Sequence, residues 1–301
     1  MVGDCMKVLF IANPYSGRGK LKTELVDILT VFAKKGYEVT THITTKSGNA
    51  TEVAKSAKEK GYDLLVCCGG DGTLNEVITG MIKGECDIPL GYIPAGTTND
   101  FARTLNISMD MVESAKKIVN SKKTVAIDVG KFSGNRYFSY IASFGLFTSV
   151  SYKTQQTAKN ALGHMAYIFE GIANIANIED YEISFEADGK KFEGEYIYGG
   201  ITNSTSIAGM FKYDSKIVDL SDGLFEVLLI KKPKNPNEFV KIIAGITTGD
   251  LSDSSVFDFC KASKITLNMP DEVVWTLDGE PAKGKNKVVV ENIPGRINFV
   301  K

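Results

Sequence analysis

Apolar and polar positions follow two rhythms along the chain. Up to about residue 120, short continuous apolar runs alternate with stretches of helical period. Residues 7–12, 37–43, 64–68 and 89–93 read as strands, and the unbroken run Leu64-Leu65-Val66-Cys67-Cys68 is what a strand covered on both faces needs. Leu21, Leu25, Ile28, Leu29 and Phe32 recur at helical spacing, as do Val53, Ala54 and Ala57, and again Leu74, Val77, Ile78, Met81 and Ile82. A last helix is expected over 111–119. This alternation predicts an open, mostly parallel α/β sheet.

From Thr124 onward strand-like segments dominate: 125–132, 136–143, 181–187, 191–202, 224–230, 264–269, 273–277, 287–291 and 296–300. Many alternate apolar and polar residues, so an antiparallel β-sandwich with one solvated face is expected. Helical stretches near 156–177 and 237–248 interrupt it. The expected fold class is therefore α/β plus mostly-β, with domains 1–123 and 124–301. No Pro- or Ser-rich linker separates them, and the expectation is that they meet across a cleft.

The polar residues gather where the first four strands end. The third strand breaks into Gly69-Gly70-Asp71-Gly72-Thr73-Leu74-Asn75-Glu76, three glycines around a carboxylate, and resumes as a helix. Glycine lets backbone approach a ligand closely, and a helix start offers unpaired N–H groups to phosphate. Asp71 sits at a strand's carboxyl end, where open α/β sheets bind ligands. A carboxylate beside a phosphate implies a cation between them, here Mg²⁺. A plain tight turn is the simpler alternative, and the strand–Gly-Gly-Asp-Gly-Thr–helix context favours phosphate. The first strand runs into Asn13-Pro14-Tyr15-Ser16-Gly17-Arg18-Gly19-Lys20, which lacks the G-x-x-x-x-G-K-[ST] spacing of a P-loop. That loop either offers N–H groups, Ser16 and Arg18 to phosphates or is an exposed connector. The fourth strand ends in Pro94-Ala95-Gly96-Thr97-Thr98-Asn99-Asp100-Phe101-Ala102-Arg103. Convergence of these strand ends on one rim is stronger evidence for a phosphate site than any motif alone.

Composition narrows the partners. With 301 residues, 35 basic and 36 acidic side chains and a net charge of −1, the chain carries no electrostatic footprint for nucleic acid. Five cysteines, with Cys67 and Cys68 in an apolar strand and no C-x-x-C pair, fit a reducing cytoplasm. The first residues have no apolar core of the kind a signal peptide needs, and 161–178 is too polar to span a membrane. His42 and His164 are too scattered for a metal site. Membrane contact is expected to be peripheral, and a homodimer is left open.

Gly69-Gly70-Asp71-Gly72-Thr73 followed by the Gly96-Thr97-Thr98-Asn99-Asp100-Phe101-Ala102-Arg103 segment resembles the diacylglycerol kinase catalytic domain family, and within it the soluble bacterial lipid kinases related to sphingosine and ceramide kinases. Asn13-Pro14-Tyr15-Ser16-Gly17, Asp222-Gly223-Leu224 and Asp278-Gly279-Glu280-Pro281 match in the family's order, so the resemblance spans nearly the whole chain. It implies an ATP- and Mg²⁺-dependent kinase acting on a membrane lipid hydroxyl, with diacylglycerol giving phosphatidic acid as the leading substrate. By the same resemblance, Asn13, Pro14, Ser16, Gly17, Arg18, Thr44, Gly69, Gly70, Asp71, Gly72, Thr73, Asn75, Glu76, Thr97 and Asn99 would hold ATP. Asp71 and Asp100 would serve the Mg²⁺–phosphate site, with Asp128 in its acidic network. Asp278 would be the general base, and Asp219, Asp222 and the main chain of Leu224 a structural Mg²⁺ site.

Several residues carry plainer readings. Asp278-Gly279 and Asp222-Gly223 are also strong turn dipeptides, while Asp188-Gly189 and Ser133-Gly134-Asn135 read as hairpins alone. Trp275 reads as core, and Lys159 as a solvated helix lysine or a phosphate neighbour. The lipid is expected to approach over Phe144, Leu146, Phe147, Leu162, Met165, Tyr167, Ile168 and Phe169. Thr148 stands where the family has an Asp. An NAD kinase-like enzyme explains Gly-Gly-Asp-Gly-Thr but not Thr97 to Phe101. A nucleotide-sensing module without catalysis leaves Asp278 without a task.

Overall fold

The computed structural model describes residues 5–146, 179–204, 206–207, 211–212, 218–270 and 273–301. The chain divides into two compact units, one of Met1–Val129 with Pro294–Lys301 and one of Gly130–Ile293.

In the first unit β1 (Lys7–Ala12), β2 (Glu38–Ile43), β3 (Leu64–Gly69) and β4 (Leu90–Pro94) form a parallel sheet in the order β4-β3-β1-β2, with Val8 beside Leu64 and Leu65 beside Leu90. Helices α1 (Leu21–Lys34), α2 (Asn49–Lys55), α3 (Asp71–Lys83), α4 (Asp100–Thr104) and α5 (Met111–Asn120) connect and cover it. One face of the sheet, carrying Val8, Phe10, Val66, Cys68 and Ile93, packs on Leu21, Ile28 and Phe32 of α1 and on Met111, Ala115 and Ile118 of α5. Every residue of β3 is buried, as its unbroken apolar run requires, and burial pushes the Cys67 thiol well up. That is how a packed apolar cysteine behaves, not a reactive one.

The second unit is antiparallel. Its strands are β6 (Arg136–Phe138), β7 (Ile141–Gly145), β8 (Tyr181–Ala187), β9 (Lys190–Thr202), the short β10 (Ser206–Ile207) and β11 (Phe211–Lys212), β12 (Phe225–Lys231), β13 (Phe257–Ala262), β14 (Lys264–Asn268), β15 (Val274–Leu277) and β16 (Glu280–Lys283). The long β9 pairs with β8 over its first half and with β7 and β12 over its second. Helix α6 (Pro236–Thr248) starts with Asn235 accepting from Glu238 N. Trp275, fully buried, centres the core, 5.0 Å from the ring of Phe132 and 4.8 Å from that of Phe144.

The division differs from the expected boundary at residue 123. Strand β5 (Thr124–Phe132) stays with the first unit up to Val129, and residues 294–301 return to it. The reason is β17 (Lys287–Val300), one strand where two were expected. It starts antiparallel to β14 and ends parallel to β4, with Phe299 beside Leu90 and its ring 5.2 Å from Phe101. Gly295 N donates to Asp128 Oδ1 at 2.7 Å, which ties the Pro294-Gly295 kink to β5 instead of ending the strand.

Other elements also depart from expectation. The segment expected as a strand over 136–143 is broken at Ser139–Tyr140, because the amides there are claimed by a side chain described below. Strands β13 and β16 and helix α4 were not expected. The helix expected near 156–177, Lys159, Thr148 and the approach residues from Phe147 to Phe169 lie outside the described residues. Of that apolar group, Phe144 is core. Among the described residues no helix is long and apolar enough to cross a membrane.

Candidate active site

The first unit collects its loops at the carboxyl ends of its parallel strands. Asn13, just past β1, works in both directions: its Nδ2 donates to Thr73 Oγ1 at 2.9 Å and its Oδ1 accepts from Tyr15 N at 3.0 Å. Gly70 N donates to Ser16 Oγ at 3.2 Å, so the loop after β1 is laced to the loop after β3. Gly17 has φ +55, and a Cβ there would stand 2.0 Å from Ala95 O. A Cβ on Gly96 would stand 2.7 Å from Gly70 Cα. Glycine is therefore required where three loops touch.

Asp71 opens α3, and its carboxylate braces the next loop. Oδ2 accepts from Asp100 N at 3.1 Å and Oδ1 from Phe101 N at 3.3 Å, the first amides of α4. A distant aspartate thus caps a five-residue helix that no local sequence signal announces. Asn99, at φ +50, accepts from Gly96 N and donates to Gly96 O, each at 2.9 Å. The Tyr92 hydroxyl stands 3.3 Å from Gly69 O and 3.4 Å from Asn99 Oδ1, holding β3's end to the same loop. Burial pushes the Asp100 carboxyl up, against the opposing pull of Arg103.

Glu76, one turn into α3, organises the loop after β2. Its carboxylate accepts from Gly48 N at 2.8 Å, Ser47 Oγ at 3.2 Å and Ala50 N at 3.2 Å. Thr44 N and Oγ1 both donate to Ala12 O. Leu74 N makes its helical bond back to Gly70 O, so the amides of Gly72 and Thr73 head α3, at its positive end. Gly72 is partly exposed and Thr97 exposed, while Pro14 and Asn75 are half-buried in the surrounding wall. Arg18 lies in the single turn Ser16–Gly19.

The second unit holds its own buried carboxylate. Asp278 occupies the turn between β15 and β16 at φ +49 and is 4% exposed. Oδ2 accepts from Ser139 N at 2.6 Å and from Ser139 Oγ at 2.7 Å, and Oδ1 accepts from Tyr140 N and Ile141 N at 3.0 Å each. Burial pushes this carboxyl up and those donors pull it back. Ser139, Tyr140 and Tyr92 carry no motif and were missed by sequence reasoning; a hydroxyl inside an apolar strand pattern is the only signal they offered.

The pattern described as "Diacylglycerol kinase catalytic domain" matches residues 7–132, and the "YegS C-terminal NAD kinase beta sandwich-like domain" matches 141–301. The chain is 36% identical to a diacylglycerol kinase of Bacillus subtilis (strain 168), over 90% of this chain and 88% of that one. A diacylglycerol kinase of Staphylococcus aureus (strain MRSA252) is also 36% identical, over 90% and 84%. The chain belongs to the diacylglycerol kinase family. A candidate diacylglycerol kinase solved from Bacillus anthracis str. Sterne superposes with a TM-score of 0.81 at 27% identity, covering 98% of this chain and 94% of that one.

As a member of that family the protein is a kinase with an alcohol group as acceptor. Its expected residues fall into three places. Asn13 to Gly17, Thr44, Gly69 to Thr73, Asn75, Glu76, Thr97, Asn99 and Asp100 share the strand-end rim of the first unit. Asp128, fully buried, is on β5 with its Oδ1 on Gly295 N. Asp278, Asp219, Asp222 and Leu224 belong to the second unit.

The second-unit acidic group does not fit a divalent cation as arranged. Asp219 Oδ1 accepts from Ser221 N and Oγ, and Asp222 Oδ1 from Leu224 N at 2.9 Å. Lys261 Nζ stands 3.1 Å from Asp222 Oδ2 and 3.2 Å from Oε1 of the buried Glu226, so an ammonium meets the oxygens a metal would need. Among the described residues no three His, Cys, Asp or Glu side chains converge on a metal position.

Proposed function

We propose that this kinase transfers the γ-phosphoryl group of ATP, with Mg²⁺, to the hydroxyl of a diacylglycerol, giving a phosphatidic acid at a membrane surface it touches peripherally. The observation that carries the ATP half is the seating of Gly70 against Gly96 beneath the start of α3. Two strand-to-helix loops meet there backbone to backbone, beside the amides that start α3. Asp71 already places a carboxylate at that positive end, so a triphosphate entering it needs a cation of its own. Mg²⁺ would supply that neutralisation, with the partly exposed Asp71 and the buried Asp100 as the carboxylates at hand.

The remaining work falls to this chain's residues. The glycine loops and Thr97 would bind and orient the phosphates, since phosphoryl transfer asks for positioning and charge neutralisation more than covalent chemistry. A lipid primary alcohol does not ionise near neutral pH, so its proton must pass to a base as the bond to phosphorus forms. Asp278 is the assigned base. The diacylglycerol assignment is supported by the relatives' names, which state that substrate for them.

The test is an acceptor panel. Purified protein is incubated with γ-labelled ATP and Mg²⁺ against vesicles containing diacylglycerol, sphingosine or ceramide, and separately against NAD. Label in phosphatidic acid, lost with EDTA, is expected. Label in NADP with none in lipid would overturn the lipid reading in favour of an NAD kinase-like one. Asp278→Asn is expected to lower kcat by about 10²–10⁴-fold with the KM for ATP unchanged.

A further inference from the structure

The Asp278 carboxylate presents a problem to any base mechanism. A carboxylate has about four lone-pair sites, and the hydrogen bonds from Ser139 N, Ser139 Oγ, Tyr140 N and Ile141 N fill that number. To accept a proton, it must give up one donor. Three of the four are main-chain amides fixed by the break between β6 and β7, and Asp278 N is itself bound to Ile141 O at 2.9 Å, so that frame is closed. An amide can only donate. A protonated carboxyl oxygen facing a fixed N–H would set hydrogen against hydrogen.

The fourth donor is different. The Ser139 hydroxyl can rotate and can accept as well as donate, and Ser139 is 2% exposed with its Oγ 2.7 Å from Asp278 Oδ2. We propose that Ser139 is a positioning residue for phosphoryl transfer, the two-way partner that lets Asp278 pass between its ionised and protonated forms. In the ionised form Ser139 Oγ–H donates to Oδ2. As the acceptor oxygen bonds to the γ-phosphorus and the bridging P–O bond breaks with its electron pair leaving on ADP, the acceptor's proton moves to Oδ2. The serine hydroxyl turns away as that proton arrives, which vacates the lone pair it takes, and the new Oδ2–H donates to Ser139 Oγ. This inference rests on the assignment of Asp278 as base.

The experiment compares Ser139→Ala, Ser139→Thr and Asp278→Asn in the full chain by steady-state kinetics with diacylglycerol vesicles, each checked by thermal melt. Ser139→Ala is expected to lower kcat by about 10- to 100-fold, with the KM for ATP within about twofold. Ser139→Thr, which keeps a hydroxyl, should recover most of the rate. Should the alanine protein not fold, Ser139→Cys reads the same contrast with a far weaker donor. Wild-type kcat in the alanine variant, or equal losses in alanine and threonine, would overturn the role of Ser139 while an inactive Asp278→Asn leaves the base assignment standing. Full activity of Asp278→Asn would remove the base assignment itself.

Discussion

Asp71 and Asp278 do the same thing at first sight: each is an aspartate whose carboxylate accepts backbone N–H groups from a distant part of the chain. The surroundings separate them. Asp71 is partly exposed at the head of α3 and spends one oxygen on each of two amides of α4. It is a strut between neighbouring loops. Asp278 is 4% exposed and sunk in a ring of donors from three consecutive residues. It is a socketed charge. A strut can be exchanged for another acceptor at modest cost, whereas a socketed charge is bound to the exact set of donors around it.

The largest effect is expected where the strut's loop is forced away from its neighbour. Gly96→Ala would place a methyl 2.7 Å from Gly70 Cα and 2.6 Å from Asn99 Oδ1. Turnover should fall by about 10²-fold or more, together with a lowered melt, because the methyl meets the Gly70 backbone and the buried Asn99. Unchanged kcat/KM for ATP would detach the Gly70–Gly96 contact from nucleotide binding.

Next come Asp71→Ala and Asp71→Asn. Alanine leaves the amides of Asp100 and Phe101 uncapped, while asparagine keeps one acceptor oxygen. If Asp71 is a strut, alanine should cost about 10²-fold in kcat/KM for ATP and asparagine about tenfold. Equal losses would show that its full negative charge, not its hydrogen bonding, is what matters.

A third measurement sharpens the meaning of a socket. Glu226 is as buried as Asp278 but faces one cation, Lys261, instead of a ring of donors. Burial pushes its carboxyl from 4.5 to about 7, against the pull of Lys261. The folded state then keeps a proton that the unfolded chain has released, so stability falls as pH rises from 4.5 to about 7. Glu226→Gln should flatten the melting temperature over that window, and a slope identical to wild type would contradict the raised carboxyl.

The smallest effect is expected at Glu76. Glu76→Gln weakens the bonds to Ser47 Oγ, Gly48 N and Ala50 N, and a loss of about 1–3 kcal/mol in unfolding free energy is expected from denaturant melts. A change in ATP binding without one in stability would instead make Glu76 a direct nucleotide contact.

What could be read from the sequence follows from the range of the forces involved. Strands β1, β3 and β4 and helices α1 and α3 announce themselves because apolar runs and helical spacing are local. The loops bearing Gly70, Asp71 and Gly96 were legible for the same reason. Helix α4 was not, because its cap is Asp71, some thirty residues upstream. The break at Ser139–Tyr140 was hidden because those residues look like any alternating strand until Asp278 takes their amides. Asp188 read as a plain hairpin residue, yet its carboxylate also accepts from Ser263 N and Lys264 N, a link no spacing rule could supply. Strand β16 was lost in Glu280-Pro281-Ala282-Lys283, where proline argues against a strand.

The unbroken course of β17 has a consequence for how the protein is made. Its final residues, 294–301, lie beside β4 and Phe101 and complete the sheet that carries the loops proposed to hold phosphate. On the ribosome the first hundred or so residues emerge early, but the edge of their sheet stays open until nearly all of the second unit has been synthesised. The unit made first is thus the one finished last, and clipping a handful of residues after Ile293 should harm nucleotide handling before it harms the β-rich half.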